Sequence, residues 1–332
     1  MSSSTGTEPI RWGVIGTGGI AAAFADDLRL LPDAILVAVG SRRQSTADEF
    51  ADRYNVPHRH ASYEALVADD DVDVVYVATP HSGHHAAAKM AIEAGKAVLV
   101  EKPFTINAVE ARDLVDAARA RGVFLMEAMW TRFLPHVERV RSLVESGALG
   151  DIRTVICDHS QWFERDASSR LFDPELGGGA LLDLGVYPVS FASMILGTPS
   201  RVTAVSDPAF TGVDATTSMV LQHLDGSHAS LTTSLQAAGP NRAFVIGTDA
   251  RVEIDHVFYA PTTFTVIGRD GSVEPYDEPH DGGGLRHEAA EVMRCVRAGK
   301  LESDIMPLDE TVAIIETLDE ARRQIGLAYP GE

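Results

Sequence analysis

From Ile10 to Met126, short apolar runs alternate with stretches whose apolar residues recur every three or four positions. Two interleaved periods of this kind predict parallel strands joined by crossover helices. The expected strands are IRWGVI (10–15), ILVAV (35–39), DVVYVA (73–78), AVLV (97–100) and VFLM (123–126). Between the first two, Ile20, Phe24, Leu28 and Leu31 fall at helical spacing, with Asp26, Asp27 and Arg29 on the other face, so one stripe of that helix packs on the sheet. Asn107 with Glu110 three residues later has the form of a capping box, and the helix it opens runs to Arg121 and stops at Gly122.

Beyond about residue 150 the period changes to two. IRTVICDH, RVTAVS, TSMVLQH, HASLTTSL, AFVIG, RVEID and TFTVIG follow one another, separated by Gly, Pro, Asp and Asn turns. One helical insertion, Ala180 to Leu196, follows three glycines (Gly177, Gly178, Gly179), and a last helical region follows the Asp281-Gly282-Gly283-Gly284 loop. The expected fold class is therefore α/β plus α+β: a doubly wound parallel sheet, then a domain on an open, mostly antiparallel sheet. The expected boundaries are a disordered segment 1–9, a first domain 10–131 and a second domain 132–332.

Composition narrows the field. With 45% hydrophobic and 23% charged residues the chain has material for packed cores, and 332 residues suit two of them. Lys and Arg number 28 against 48 Asp and Glu, a net charge of −20, which argues against nucleic acid and anionic membranes as partners. The two cysteines, Cys157 and Cys295, have no metal-type spacing and form no disulfide framework. No signal-peptide pattern or uninterrupted apolar run of ~18 residues occurs, so a cytoplasmic protein with reduced thiols is expected.

The first strand runs directly into Gly16-Thr17-Gly18-Gly19-Ile20-Ala21, a GxGxxA sequence. Gly16 permits the tight turn, Gly18 lets backbone approach a pyrophosphate, and Ala21 lets the helix pack closely on the strand, with its N-terminal N–H groups facing the anion. An Asp or Glu ending the second strand would hold the ribose hydroxyls of NAD; here the strand ends Ser41-Arg42-Arg43, whose guanidiniums suit the extra phosphate of NADP. NADP is the expected cofactor, with NAD possible.

Two further clusters bear chemistry. Glu101-Lys102-Pro103 puts a lysine at the carboxyl edge of the parallel sheet, where doubly wound folds place their sites. Asp183 and Tyr187, four apart in a helix, project from one face; the plainer alternative is a core aromatic and a first-turn acid. His81, His84 and His85 lack a carboxylate or thiol at matching local spacing, so no metal is expected there. Trp130, Trp162 and Phe163 either wall a ring-shaped substrate or belong to the core, and Arg132 and Arg165 either hold substrate hydroxyls or serve as surface charges.

GxGxxA, Thr79-Pro80-His81, Glu101-Lys102-Pro103 and the triple glycine before Asp183-x-Gly185-x-Tyr187 together resemble the glucose-fructose oxidoreductase and inositol dehydrogenase (Gfo/Idh/MocA) family. Met126 to Pro135, Tyr187 and Met306 to Thr311 are similar to its branch of dihydrodiol dehydrogenases and NADP-dependent D-xylose dehydrogenases, which uses tyrosine where many members have histidine. The resemblance implies an NADP-binding domain at 10–131 and a substrate-binding and oligomerisation domain at 132–332. It implies hydride transfer between a nicotinamide and a secondary alcohol, lactol or carbonyl of a polyhydroxylated small molecule, with Tyr187 moving the proton. A free tyrosine with pKa about 10 is a poor base, so Lys102 is expected to stabilise its phenolate and Asp183 to orient the lysine or bind a hydroxyl. Thr79, Pro80, His81, His84 and Glu101 are expected beside the cofactor, and a homodimer or homotetramer through the second sheet. The alternatives are an inert cofactor-binding sensor, or a redox-neutral glycosidase or epimerase that retains NAD.

Overall fold

In the computed structural model residues 8–332 are described; the first seven, with most of the expected disordered segment 1–9, lie outside the described residues. Six strands form the first sheet: β1 (Ile10–Ile15), β2 (Ala34–Gly40), β3 (His58–His60), β4 (Val74–Val77), β5 (Ala97–Glu101) and β6 (Leu125–Ala128). They lie in the order β3-β2-β1-β4-β5-β6, every pair parallel. The order reverses between β1 and β4, and a crevice opens at such a switch point beyond the carboxyl ends of the strands. Helices α1 (Gly19–Leu28), α2 (Gln44–Tyr54), α3 (Tyr63–Val67), α4 (His84–Glu93) and α5 (Ala108–Arg121) make the crossovers. Fully buried Phe24 of α1 stacks on Tyr76 of β4, with ring centroids 3.9 Å apart. Asn107 caps α5 by accepting from the Glu110 N–H at 3.0 Å, and Gly122 ends it in a left-handed conformation.

Two departures concern this half. β6 begins at Leu125 rather than Val123, because the Val123 N–H closes the end of α5 on Ala118. β3 has the polar sequence His-Arg-His, which carries no apolar signal, and earns its place only as an edge strand beside β2.

After α6 (Pro135–Glu145) comes the second sheet, of β7 (Ile152–Ser160), β8 (Arg201–Pro208), β9 (Asp214–Gln222), β10 (His228–Ser234), β11 (Ala243–Gly247), β12 (Ala250–Ile254), β13 (Phe264–Gly268) and β14 (Val273–Tyr276). Its order is β14-β13-β12-β11-β7-β10-β9-β8, and only β7 and β10 run parallel. Between β7 and β8 a π-helical turn, Leu181–Gly185, leads into α7 (Val186–Leu196), which packs on β7 and β10. The helical stretch Pro174–Leu196 is long and apolar enough to cross a membrane, but 83% of its apolar window is buried in the protein, as befits a helix apolar all round at the centre of a core.

The apolar residues of β9 and β10 belong to the core rather than to an exposed face of the sheet. Met219, Leu221, Ala229 and Leu231 point inward under α7, because side chains alternate along a strand. The outer face shows Val205, Ile156 and Val220 instead.

The last two helices, α8 (Leu285–Arg297) and α9 (Leu308–Ile325), return to the first sheet's helices. Asp27 of α1 accepts from the Gly283 N–H at 2.7 Å and the Arg286 N–H at 3.3 Å, so the glycine loop is tied down at the start of α8. Asp319 of α9 accepts from the Ala108 N–H at 2.8 Å, at the start of α5.

Candidate active site

β1 ends at Gly16, whose φ is +103°; a Cβ there would stand 2.5 Å from the Ala78 carbonyl oxygen. Only glycine fits this approach of β1 to β4. Around Gly18 and Gly19 a Cβ would meet nothing within 4 Å, so bare backbone and the N-terminus of α1 face an open cleft. Ala21 is fully buried, which lets α1 lie against the sheet. Two adjoining cavities share Gly18, Ala78, Thr79 and Pro80. One, of about 640 Å³, is lined also by Gly16, Thr17, Ser41, Arg42, Arg43 and Thr46. The other, of about 410 Å³, extends past Gly19, Ile20, His81 and His84 to Glu101, Lys102, Arg170 and Tyr187.

These features fit a dinucleotide. The Thr79 hydroxyl is buried without a partner in the cleft wall, the backbone at Gly18 and Gly19 borders open space at the start of α1, and Arg42 and Arg43 are exposed with no guanidinium contact among the described residues. Ser41 is held by its hydroxyl, 2.6 Å from that of Thr46, which fixes the turn carrying the arginines.

At the other end four elements converge. Lys102, after β5, donates from Nζ to the Asp183 carbonyl at 2.9 Å and lies 3.4 Å from the Asp183 carboxylate. The same carboxylate oxygen accepts from Arg170 at 2.9 Å and lies 3.4 Å from His81 Nε2. His81 Nδ1 donates to the Gly177 carbonyl at 2.9 Å. Burial alone would raise the Asp183 pKa; Lys102, His81 and Arg170 outweigh it and hold the carboxyl well below its usual range. Burial alone would lower the Lys102 pKa, but Asp183, Tyr187 and Glu101 leave it raised. The lysine is a fixed cation.

Tyr187 opens α7 just past the π turn, and its ring centroid lies 4.9 Å from Lys102 Nζ. Its hydroxyl accepts from the Trp130 indole N–H at 2.9 Å. Burial pushes the phenol up to about 12, with Lys102 pulling the other way. The ammonium bonds Asp183 and meets the tyrosine over its ring, and the phenol keeps its proton. His159 of β7 packs edge-on against Tyr187 at 5.0 Å and stays neutral, pushed down to about 3 by burial.

Behind the lysine, Glu101 accepts from the Lys102 N–H at 3.0 Å and from the Tyr76 hydroxyl. Glu127 accepts from the Phe104 N–H at 3.0 Å, and burial raises it to about 7. Glu288 of α8, fully buried with neither oxygen partnered, is raised further by burial and by Glu101, Glu127 and Asp27.

Other expected site residues lie elsewhere. Arg132 is 2% exposed and holds the second half together: it donates to the Ser190 hydroxyl and carbonyl, both at 2.8 Å, and to Glu310 at 2.7 Å. A guanidinium so engaged is directed into the second half and lines neither cavity of the cleft. Trp162 is 65% exposed, paired as an isolated bridge with Gln236, and Phe163 bonds the Leu235 carbonyl through its N–H; neither lines the cleft. Arg165 lies over the Phe210 ring at 4.8 Å. His84 faces the Pro103 and Thr79 carbonyls with its two ring nitrogens, and His85 bonds Asp113. Arg170, His159 and Glu288 were not foreseen. Their chain distance from Asp183, Tyr187 and Glu101 leaves no local spacing to find them by.

Residues 10–129 match the oxidoreductase family with an NAD-binding Rossmann fold, and residues 137–253 match the GFO/IDH/MocA C-terminal domain. The chain belongs to the Gfo/Idh/MocA family. Among members of the family, the trans-1,2-dihydrobenzene-1,2-diol dehydrogenases of Mus musculus and Homo sapiens are 40% and 38% identical to it, each alignment covering 97% of this chain and 98% of theirs. A 3-ketoreductase from Actinomadura kijaniata, solved with NADP and TDP-benzene, is 28% identical and superposes with a TM-score of 0.86 over 96% of this chain and 98% of its own. The aldose-aldose oxidoreductase of Caulobacter crescentus shares the fold, with a TM-score of 0.88 over 96% of this chain and 97% of its own, at 24% identity. This Gfo/Idh/MocA chain is accordingly an NAD(P)-dependent oxidoreductase.

Proposed function

We propose that the chain uses NADP to interconvert a hydroxyl and a carbonyl on a sugar-like or dihydrodiol small molecule. The observation that carries this reading is the protonated phenol of Tyr187, set beside the fixed cation Lys102 where the glycine-loop cleft ends. The NADP-bound ketoreductase and the dihydrodiol dehydrogenases support the cofactor and the substrate class.

Gly16 to Ala21 would hold the pyrophosphate, Arg42 and Arg43 the extra phosphate, and Thr79, Pro80, His81 and Glu101 the nicotinamide side. When bound, the cofactor supplies or takes the hydride. Tyr187 gives its phenolic proton to a carbonyl oxygen as that oxygen becomes a hydroxyl, and takes it back in the reverse direction. Lys102 places positive charge beside the phenolate so formed, with Asp183 and Arg170 fixing the lysine's position. Trp130 holds the phenol oxygen in place.

The test follows nicotinamide absorbance against aldoses, polyols, trans-dihydrodiols and the matching carbonyls, with Tyr187→Phe alongside. Turnover on one class is expected, falling by about 10²-fold or more in the variant while cofactor affinity holds. Tight cofactor binding without turnover on any substrate, in either direction, would favour a sensor. We propose also that copies pair through the outer face of the second sheet, where Val205, Ile156 and Val220 are exposed; sedimentation of a monomer at micromolar concentration would refute it.

A further inference from the structure

Among the described residues, one group of three histidine or acidic side chains brings donor atoms within 4.8 Å of one another: His58, His60 and Asp69. None of them lines the cleft. The strand period puts His58 and His60 on the same face of β3, while Arg59 points away to Asp52 at 2.7 Å. Parallel pairing with β2 fixes both histidine backbones, Ala38 opposite His58 and Gly40 opposite His60. Asp69 comes from the turn between α3 and β4. Its Oδ1 accepts from the Asp71 N–H at 2.9 Å, which leaves Oδ2 to face the rings, 2.7 Å from His58 Nδ1 and 2.9 Å from His60 Nε2. Lys96 anchors this turn by donating to the Asp69 and Val72 carbonyls, at 2.7 and 2.9 Å.

We infer that His58 Nδ1, His60 Nε2 and Asp69 Oδ2 form a binding site for one zinc-type divalent cation, with water completing its coordination. Two imidazoles and a carboxylate suit Zn²⁺ or Ni²⁺, whereas Mg²⁺ and Ca²⁺ take oxygen ligands. The side chains are 36%, 22% and 10% exposed, open enough for an ion to enter. Ligands at about 2.0–2.2 Å from a tetrahedral centre stand roughly 3.3 Å apart, so Asp69 Oδ2 has to withdraw by about half an ångström from each ring, and the two ring nitrogens, now within 4.8 Å of each other, have to settle at that same spacing.

Proton placement is provided for. Each ring now donates to Asp69 through the nitrogen that would bind the ion, so a neutral ring moves its proton to the other nitrogen and a charged one releases a proton to solvent. For His58 the other nitrogen is Nε2, 3.9 Å from the Asp71 carboxylate, which Arg11 holds at 2.7 Å. A carboxylate there is the usual outer partner of a metal-bound imidazole. The ion would fasten the edge strand β3 to the turn before β4. The His60 carbonyl in turn accepts from the Ser41 N–H at 3.1 Å, so the fastened strand is the one against which the Arg42 and Arg43 turn rests.

The test uses the full chain without an affinity tag, stripped with a chelator and titrated calorimetrically with Zn²⁺ and with Mg²⁺. One Zn²⁺ per chain is expected to bind and to raise the unfolding midpoint, with no response to Mg²⁺. His58→Gln and Asp69→Asn should each weaken Zn²⁺ binding by about tenfold or more, with circular dichroism confirming that each variant is folded. Absence of stoichiometric Zn²⁺ binding, or unchanged affinity in both variants, would overturn the proposal. Should a variant not fold, Co²⁺ absorption of the parent chain decides: an intense four- or five-coordinate spectrum supports the site, and a weak hexaaqua spectrum overturns it.

Discussion

Where the cleft passes Ser41, Arg42 and Arg43 stand exposed on a turn with no partner for either guanidinium among the described residues. Where it ends, Asp183 and Tyr187 are buried and the Lys102 side chain is only 12% exposed, and the charged pair is tied to Arg170, His81 and the backbone. Both ends carry cations, but only one has made them part of the fold. A solvated charge adds little to stability and is free to meet a ligand. A buried charge is secured only by its partners, so chemistry and folding share the same contacts at that end. The fold stores its burdens there: beneath Lys102 lie Glu101, Glu127 and Glu288, three carboxyl groups each raised by burial.

The contrast is open to attack at three depths. Arg132 lies under α7, on the buried side. Arg132→Met removes its bonds to Ser190 and Glu310 and is expected to destabilise the protein by about 3 kcal/mol, the low end for a broken buried pair because Glu310 keeps some solvent. Urea unfolding measures this, and KM should stay unchanged in the folded fraction; a raised KM with unchanged stability would return Arg132 to the substrate.

Glu127 tests the buried acids. Its folded pKa of about 7 lies above the usual 4.5, so its contribution to stability is full below about 4.5 and is lost as pH rises through about 7. Up to about 3 kcal/mol is at stake over that window, with Glu288 and Asp214, the latter raised to about 6, acting with the same sign. Glu127→Gln stays neutral and should remove Glu127's share of the fall in unfolding free energy between about pH 4.5 and about pH 7, making the slope shallower. An unchanged pH slope would show that the carboxyl ionises freely in the folded chain.

The smallest effect belongs to the exposed end. Arg42→Ala should leave stability within about 0.5 kcal/mol. It should weaken NADPH binding about tenfold, by removing one charge-assisted contact worth roughly 1.5 kcal/mol, and NADH binding scarcely at all. Equal losses for both cofactors, read by fluorescence titration, would mean that the arginine does not read the phosphate.

How much of this was legible depends on how local each feature is. The GxGxxA turn, the capping box at Asn107 and the strand-and-helix alternation are read within a dozen residues, because propensity, capping and period act over that range. β3 and β14 were silent: β3 is a short polar strand held by its neighbour's backbone, and β14 has only four residues, one of them a proline, too few to show a period. Asp183 and Tyr187 were visible as a pair, yet the π turn and the Trp130 bond that set the phenol's partner were not. Arg132 looked like a site residue because a guanidinium next to aromatics suits a substrate as well as it suits a core.

The sequence by itself determined the strand that ends in a phosphate turn, the basic residues that follow β2 and the lysine that follows β5, since each depends on neighbours along the chain. Only the tertiary structure decided that Lys102 bonds Asp183 rather than the Tyr187 hydroxyl, that Arg170 joins them, and that His58, His60 and Asp69 meet at one point. The reason is physical: burial and partner distance set the charge state and direction of a polar group, and both are fixed by segments many residues apart.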